Sequence, residues 1–143
     1  MEISSEGAQE AHFTPEECLL LLATQQFGRL VFGESEPQIR PMNYIVDDGD
    51  IVLRVDHPLP LPEHVVFEVD QVDQLERQGW SVIVNGRAST HLVDECDLVI
   101  REQLAPWAPG PMMYVIRISI DRMTGRWVRA GRTHRTFEDR GYM

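Results

Sequence analysis

The chain has 143 residues, 43% of them hydrophobic and 25% charged, which suits one domain with its own core. Net charge is -10 and all 13 basic residues are arginine, so lysine nucleophiles and Schiff bases are excluded and nucleic acid is an unfavourable partner. No apolar run reaches about 18 residues and the first twelve are acidic, which argues against a membrane span or signal peptide and makes the cytoplasm the expected location.

Residues 1–12 are rich in Ser, Glu and Gln and are expected to be disordered. A helix should follow in FTPEECLLLLATQQFG. Thr14 suits the N-cap, Pro15 the first helical position, and Glu17 completes a capping box. Phe13 can staple against Cys18; Cys18, Leu19, Leu21 and Leu22 form the apolar stripe; Gly28 supplies the stop.

Strands come next: Arg29 to Gly33, then Gln38 to Val46, interrupted by Pro41. A proline cannot donate to the ladder, so Pro41 marks an edge, a bulge or an opening. DDGD, Asp47 to Asp50, reads as a hairpin turn into Ile51 to Val55. DHPLPLPE alternates proline and should run extended over the surface. His64 to Asp70 is a strand, and Gln71 to Gln78 a polar connection.

The stretch Gly79 to Thr90 reads as a long central strand. Trp80, Val82, Val84 and Gly86 share one face; Ser81, Ile83, Asn85 and Arg87 share the other, which is either a ligand or partner surface or simply solvent-facing. A second helix should run from Asp94 to Leu104 with Leu98, Val99 and Cys96 inward, followed by an irregular LAPWAPGP loop. Met112 to Ile120 alternates as a strand, a turn falls at Asp121 and Arg122, and Met123 to Arg129 forms another strand. An Arg-rich tail, residues 130–143, closes the chain. Six or seven mostly antiparallel strands with two helices predict a mainly β fold closed into a small barrel. Cys18 and Cys96 read as two buried thiols rather than a disulfide.

Nucleotide-loop, zincin and nucleophile-elbow motifs are absent. The five histidines are scattered, and none pairs with a carboxylate at metal-ligand spacing. Asp70 and Asp73 read as strand-end and turn residues rather than an acid–base pair.

What remains, in order, is GRLVF, PMNYIVDDGDIVLR, HVVFEVDQVD, GWSVIVNGRA and TGRWV. From Phe13 to Trp127 this arrangement resembles the pyridoxamine 5′-phosphate oxidase-like FMN-binding split barrels. The resemblance implies a homodimer with FMN in clefts at the subunit interface and a role as a flavin-dependent oxidoreductase, with no assigned catalytic residue and no metal. Carried over by position, Arg40, Pro41, Met42, Asn43 and Tyr44 match the strand beside the isoalloxazine ring. Arg54 and Val55 match the strand end leading to the phosphate site, Ser81 a polar group near the ring, and Trp127 a late aromatic that reaches the flavin. Asn43 and Ser81 should then border one flat slot. Arg87 is read as serving either a phosphate or a cross-strand ion pair.

DHPLPLPE departs from the family pattern: it is proline-rich, net acidic and lacks the cation that grips a phosphate. Two other readings follow: a split-barrel protein that has exchanged FMN for another ligand, a deazaflavin or haem, and a dimer that serves only a protein partner.

Overall fold

A computed structural model of the protein describes residues 7–104, 111 and 113–131. Strand β1 spans Gln9–Phe13, and helix α1 spans Pro15–Ala23. The capping box closes as the sequence predicts: the Glu17 N–H donates to Thr14 Oγ1 at 3.2 Å, and the Thr14 N–H donates to Glu17 Oε1 at 3.0 Å. Cys18 and Leu22 are fully buried, while Leu20 is exposed. The helix stops at Thr24, not at Gly28. The Thr24 hydroxyl donates to the Leu21 carbonyl at 2.6 Å, and Gly28 belongs to the following strand.

The strands that follow are β2 (Phe27–Phe32), β3 (Gln38–Asn43), β4 (Ile45–Asp47), β5 (Asp50–Val55), β6 (His64–Asp73), β7 (Gln78–Leu92) and β8 (Tyr114–Arg129). They form one antiparallel sheet in the order β3-β2-β6-β7-β8-β5-β4, with β1 added on β8. The ends of that order, β3 and β4, are consecutive in sequence with only Tyr44 between them. The sheet therefore curls until its ends meet, giving the mainly β barrel that the residue pattern implies and the split barrel that the resemblance implies. Pro41 lies on β3, at the edge of the sheet, where a proline is tolerated.

The barrel interior is the face that alternation assigns. Leu30, Phe67 and Val84 stand opposite one another on β2, β6 and β7, and all three are fully buried. Gly28 is required here, because a Cβ at that position would lie 2.6 Å from the Phe67 ring. Leu59 and Leu61 of the proline-rich connector turn inward onto this core. A second, smaller cluster (Val52, Val93, Ile100, Leu104 and Val115) lies under helix α2, Leu98–Gln103.

Several expectations are corrected. Gln9–Phe13, inside the stretch read as disordered, is a strand, because β8 offers it an open edge. Gln71 to Asp73 and Gln78 continue β6 and β7, leaving residues 74–77 as the hairpin loop. Polar side chains on both faces of this exposed arm hide the strand period. Asp121 and Arg122 are no turn: β8 runs through them, and a bulge between Asn85 and Gly86 leaves Asp121 without a partner in register. The predicted second helix is a 3-10 turn, Val93–Glu95, followed by the shorter α2. Ile100 and Leu104 point inward, Cys96 is half-buried and Leu98 is exposed. Both cysteines are free, in different clusters. The predictions for residues 1–6, most of the LAPWAPGP loop, Met112, residues 132–143 and the Val99 side chain fall outside the described residues.

Candidate functional site

The predicted ring-binding segment, Arg40 to Tyr44, divides by burial. Arg40 and Pro41 are exposed, Met42 leans on the core, and Asn43 is half-buried. Tyr44 is buried: its hydroxyl donates to the Leu22 carbonyl, and its ring meets Phe67 edge-on with centroids 5.1 Å apart. Its side chain is thereby committed to the fold, and burial pushes its phenol above the ordinary range.

Asn43, Tyr44, Ile45 and Val46 line a cleft of about 360 Å³ between the end of α1 and the end of α2. Its other walls include Gln25, Gln26, Gln103 and Leu104. Among the described residues no charged side chain lines it; amides supply donors and acceptors beside apolar surface, which suits a neutral planar ring with polar edges. Arg54 on β5 adjoins this cleft, with Nη1 donating to the carbonyl of Leu104 at 3.4 Å. Its neighbour Val55 is buried in the core and offers only backbone.

Ser81 is elsewhere. It lines a second cleft of about 360 Å³ on the outer face of β6, β7 and β8, with Asp70, Val72, Arg77, Gly79 and Arg126 among its walls. Within one chain Asn43 and Ser81 therefore border separate clefts, not one slot. Trp127 is half-buried opposite Trp80 in register and lines neither cleft. Arg87 forms the cross-strand ion pair, Nε to Asp121 Oδ2 at 3.3 Å. The connector after β5 brings no cation: Asp56 bonds His57 at 2.6 Å, and the leucines turn inward.

Sequence reasoning missed a charged cluster on the outer sheet face. Arg29 Nη1 donates to Glu68 Oε1 at 2.7 Å and to Asp70 Oδ2 at 3.1 Å, on the outer sheet face. Asp70 is thus within a ten-residue strand rather than at its end. Two carboxylates share one guanidinium, so the group is one negative charge in excess. Burial raises the Glu68 carboxyl to about 7, helped by the hydrogen bond and charge of Asp70 and opposed by Arg29. The acids at alternate positions in FEVD were a signal for one face, but their arginine lies 39 residues away from Glu68 in sequence.

Among the described residues no cluster of His, Cys, Asp and Glu could hold a metal, and no helix is long and apolar enough to cross a membrane.

Comparison with known proteins adds three relatives. The uncharacterized protein Rv0080 of Mycobacterium tuberculosis is 35% identical, covering 77% of this chain and 80% of the relative. A crystal structure of a Corynebacterium glutamicum protein, provisionally named a pyridoxamine 5′-phosphate oxidase, superposes with a TM-score of 0.71 and 31% identity over 86% of this chain and 96% of that one. The FAD binding protein of Mycobacterium smegmatis gives a TM-score of 0.68 and 29% identity over 83% of this chain and all of that one. A family model described as pyridoxamine 5′-phosphate oxidase matches residues 14–127, from the N-cap of α1 to Trp127 in β8, and so the chain belongs to the pyridoxamine 5′-phosphate oxidase family.

Proposed function

We propose that this chain is a flavin-binding member of its family, acting as an oxidoreductase, with the ring held beside Asn43–Val46 and completed by a second copy of the chain. The observation that carries this reading is the uncharged, amide-lined cleft formed by the segment that the family resemblance assigns to the isoalloxazine ring. The flavin binding named for the M. smegmatis relative supports the same ligand class. Gln25, Gln26, Asn43 and Gln103 can bind the ring's polar edge, and Arg54 adjoins the cleft for the phosphate. When bound, the flavin itself supplies hydride or electron transfer, and the protein supplies position and exclusion of water. FMN is the proposed form, because one arginine at a small cleft suits a single phosphate.

The outer sheet face supports a homodimer. Ile39, Val31 and Val66 stand in one cross-strand row, Ile83 lies beside them, and Ile39 and Ile83 are 65% and 40% exposed. Such a patch on a sheet favours a self-complementary partner.

Titrating the protein with FMN and FAD, read by tryptophan quenching, tests the proposal. Micromolar FMN binding is expected, and Arg54→Ala should weaken it about tenfold or more, as for loss of a charged hydrogen bond. Absence of binding of either flavin overturns the cofactor; unchanged affinity in Arg54→Ala removes that residue from the phosphate. Sedimentation of the chain checks the dimer, and a monomer at micromolar concentration contradicts it.

A further inference from the structure

The cleft beside Asn43 has two unequal walls. On the α1 side the ties are doubled: the Tyr44 N–H donates to the Gln26 carbonyl at 3.0 Å, and the Tyr44 hydroxyl donates to the Leu22 carbonyl. On the α2 side the wall is Gln103 and Leu104, at the end of a six-residue helix. A helix that short is marginal on its own. Its N-cap, Asp97, makes no side-chain cap bond. Arg101 Nε is buried and has no hydrogen-bond partner among the described residues, a cost that water would relieve if the turn let go.

Two things hold α2 down. Ile100 and Leu104 pack on Val52, Val93 and Val115, and the Arg54 guanidinium reaches the Leu104 carbonyl. The second tie is the replaceable one. Nη1 stands 3.4 Å from a neutral carbonyl oxygen, at the long end of hydrogen-bond distance. A phosphate offers full charge and two oxygens that match the guanidinium fork, in shorter and stronger bonds.

We infer that α2 is the phosphate-sensing element of this cleft: an anion beside Arg54 draws the guanidinium off the Leu104 carbonyl and frees the last turn of α2. The inference rests on the flavin reading for its assignment of Arg54 to a phosphate. Once freed, the turn withdraws Gln103 and Leu104 from the cleft, while the wall tied by Tyr44 keeps its place. The α1 side therefore holds the ring, and the α2 side responds to whether the ring carries a phosphate.

Amide hydrogen exchange of the full chain at pH 7, followed by NMR, tests it. The probes are the N–H groups of Arg101 and Leu104, which donate to the Asp97 and Ile100 carbonyls at 3.2 and 3.0 Å, with the Tyr44 N–H as control. Arg54→Met keeps an apolar stem without the donors. With no ligand present it should speed exchange at Leu104 about threefold, as for loss of one hydrogen bond. In the wild type, millimolar inorganic phosphate and saturating FMN should each speed Leu104 by a similar factor without speeding Tyr44, and neither should do so in Arg54→Met. Riboflavin, the same ring without the phosphate, should slow Leu104. Unchanged Leu104 exchange in Arg54→Met, or slowing by FMN to the same degree as by riboflavin, overturns the inference and leaves the flavin reading standing. Failure of both flavins to bind overturns the flavin reading; inorganic phosphate then judges α2 by itself, and no effect of it on Leu104 overturns the inference.

Discussion

Glu68→Gln isolates the physics of the outer-face cluster. In the unfolded chain this carboxyl titrates near 4.5; folded, it is raised to about 7 by burial and by Asp70. Below about pH 4.5 both states are protonated and the group has no bearing on stability. Between 4.5 and 7 the unfolded chain loses its proton while the folded one keeps it, so stability falls as pH rises, and above 7 the full penalty is present. The displacement corresponds to roughly 3 kcal/mol, which water screening of a side chain 24% exposed reduces to about 1–2 kcal/mol. Glutamine keeps an acceptor for Arg29 and carries no charge. Urea unfolding of both proteins between pH 5 and 8 should show Glu68→Gln gaining on the wild type by about 1–2 kcal/mol as pH rises, chiefly between 5 and 7. Curves that stay parallel across that range would refute the raised Glu68 carboxyl and leave an ordinary ion pair.

Two further outcomes test how the barrel is held. Tyr44→Phe keeps the ring on Phe67 but loses the bond to the Leu22 carbonyl, so thermal unfolding should report a loss of about 1–2 kcal/mol. Gly125→Ala should cost about 1–3 kcal/mol, because its Cβ would sit 2.6 Å from Cys18 Sγ and push α1 off the sheet. Combining it with Cys18→Ala should recover part of that loss, and strict additivity in the double-mutant cycle would disprove the contact.

The legible parts of this fold were those written locally. The Thr14–Glu17 box specified its helix within four residues. Gly49, at φ 78, lies in the Asp47–Asp50 turn that DDGD announces. The resemblance assigns Asn43 and Tyr44 to one segment, and the structure commits the Tyr44 side chain to packing. What stayed hidden depends on partners far along the chain. The bulge at Gly86 disguised a sixteen-residue strand as two, because an Asp121 outside the register looks like a turn in sequence. Strand β1 has polar composition and exists because β8 has room for it. Arg29 meets Glu68 and Asp70 only once β2 lies beside β6. Ser81 and Asn43 are both polar positions on strands, and only the register of the sheet reveals that they face different clefts.

The single residue between β3 and β4 has a mechanical meaning. A barrel zipped by a row of hydrogen bonds can open at its seam one rung at a time, whereas here the two borders are stitched by the polypeptide itself at Tyr44. Its hydroxyl is latched onto α1, so the cleft wall can spread only if the helix lifts with it. Any molecule lodged beside Asn43 would feel that latch as rigidity, and its escape would be timed by the helix.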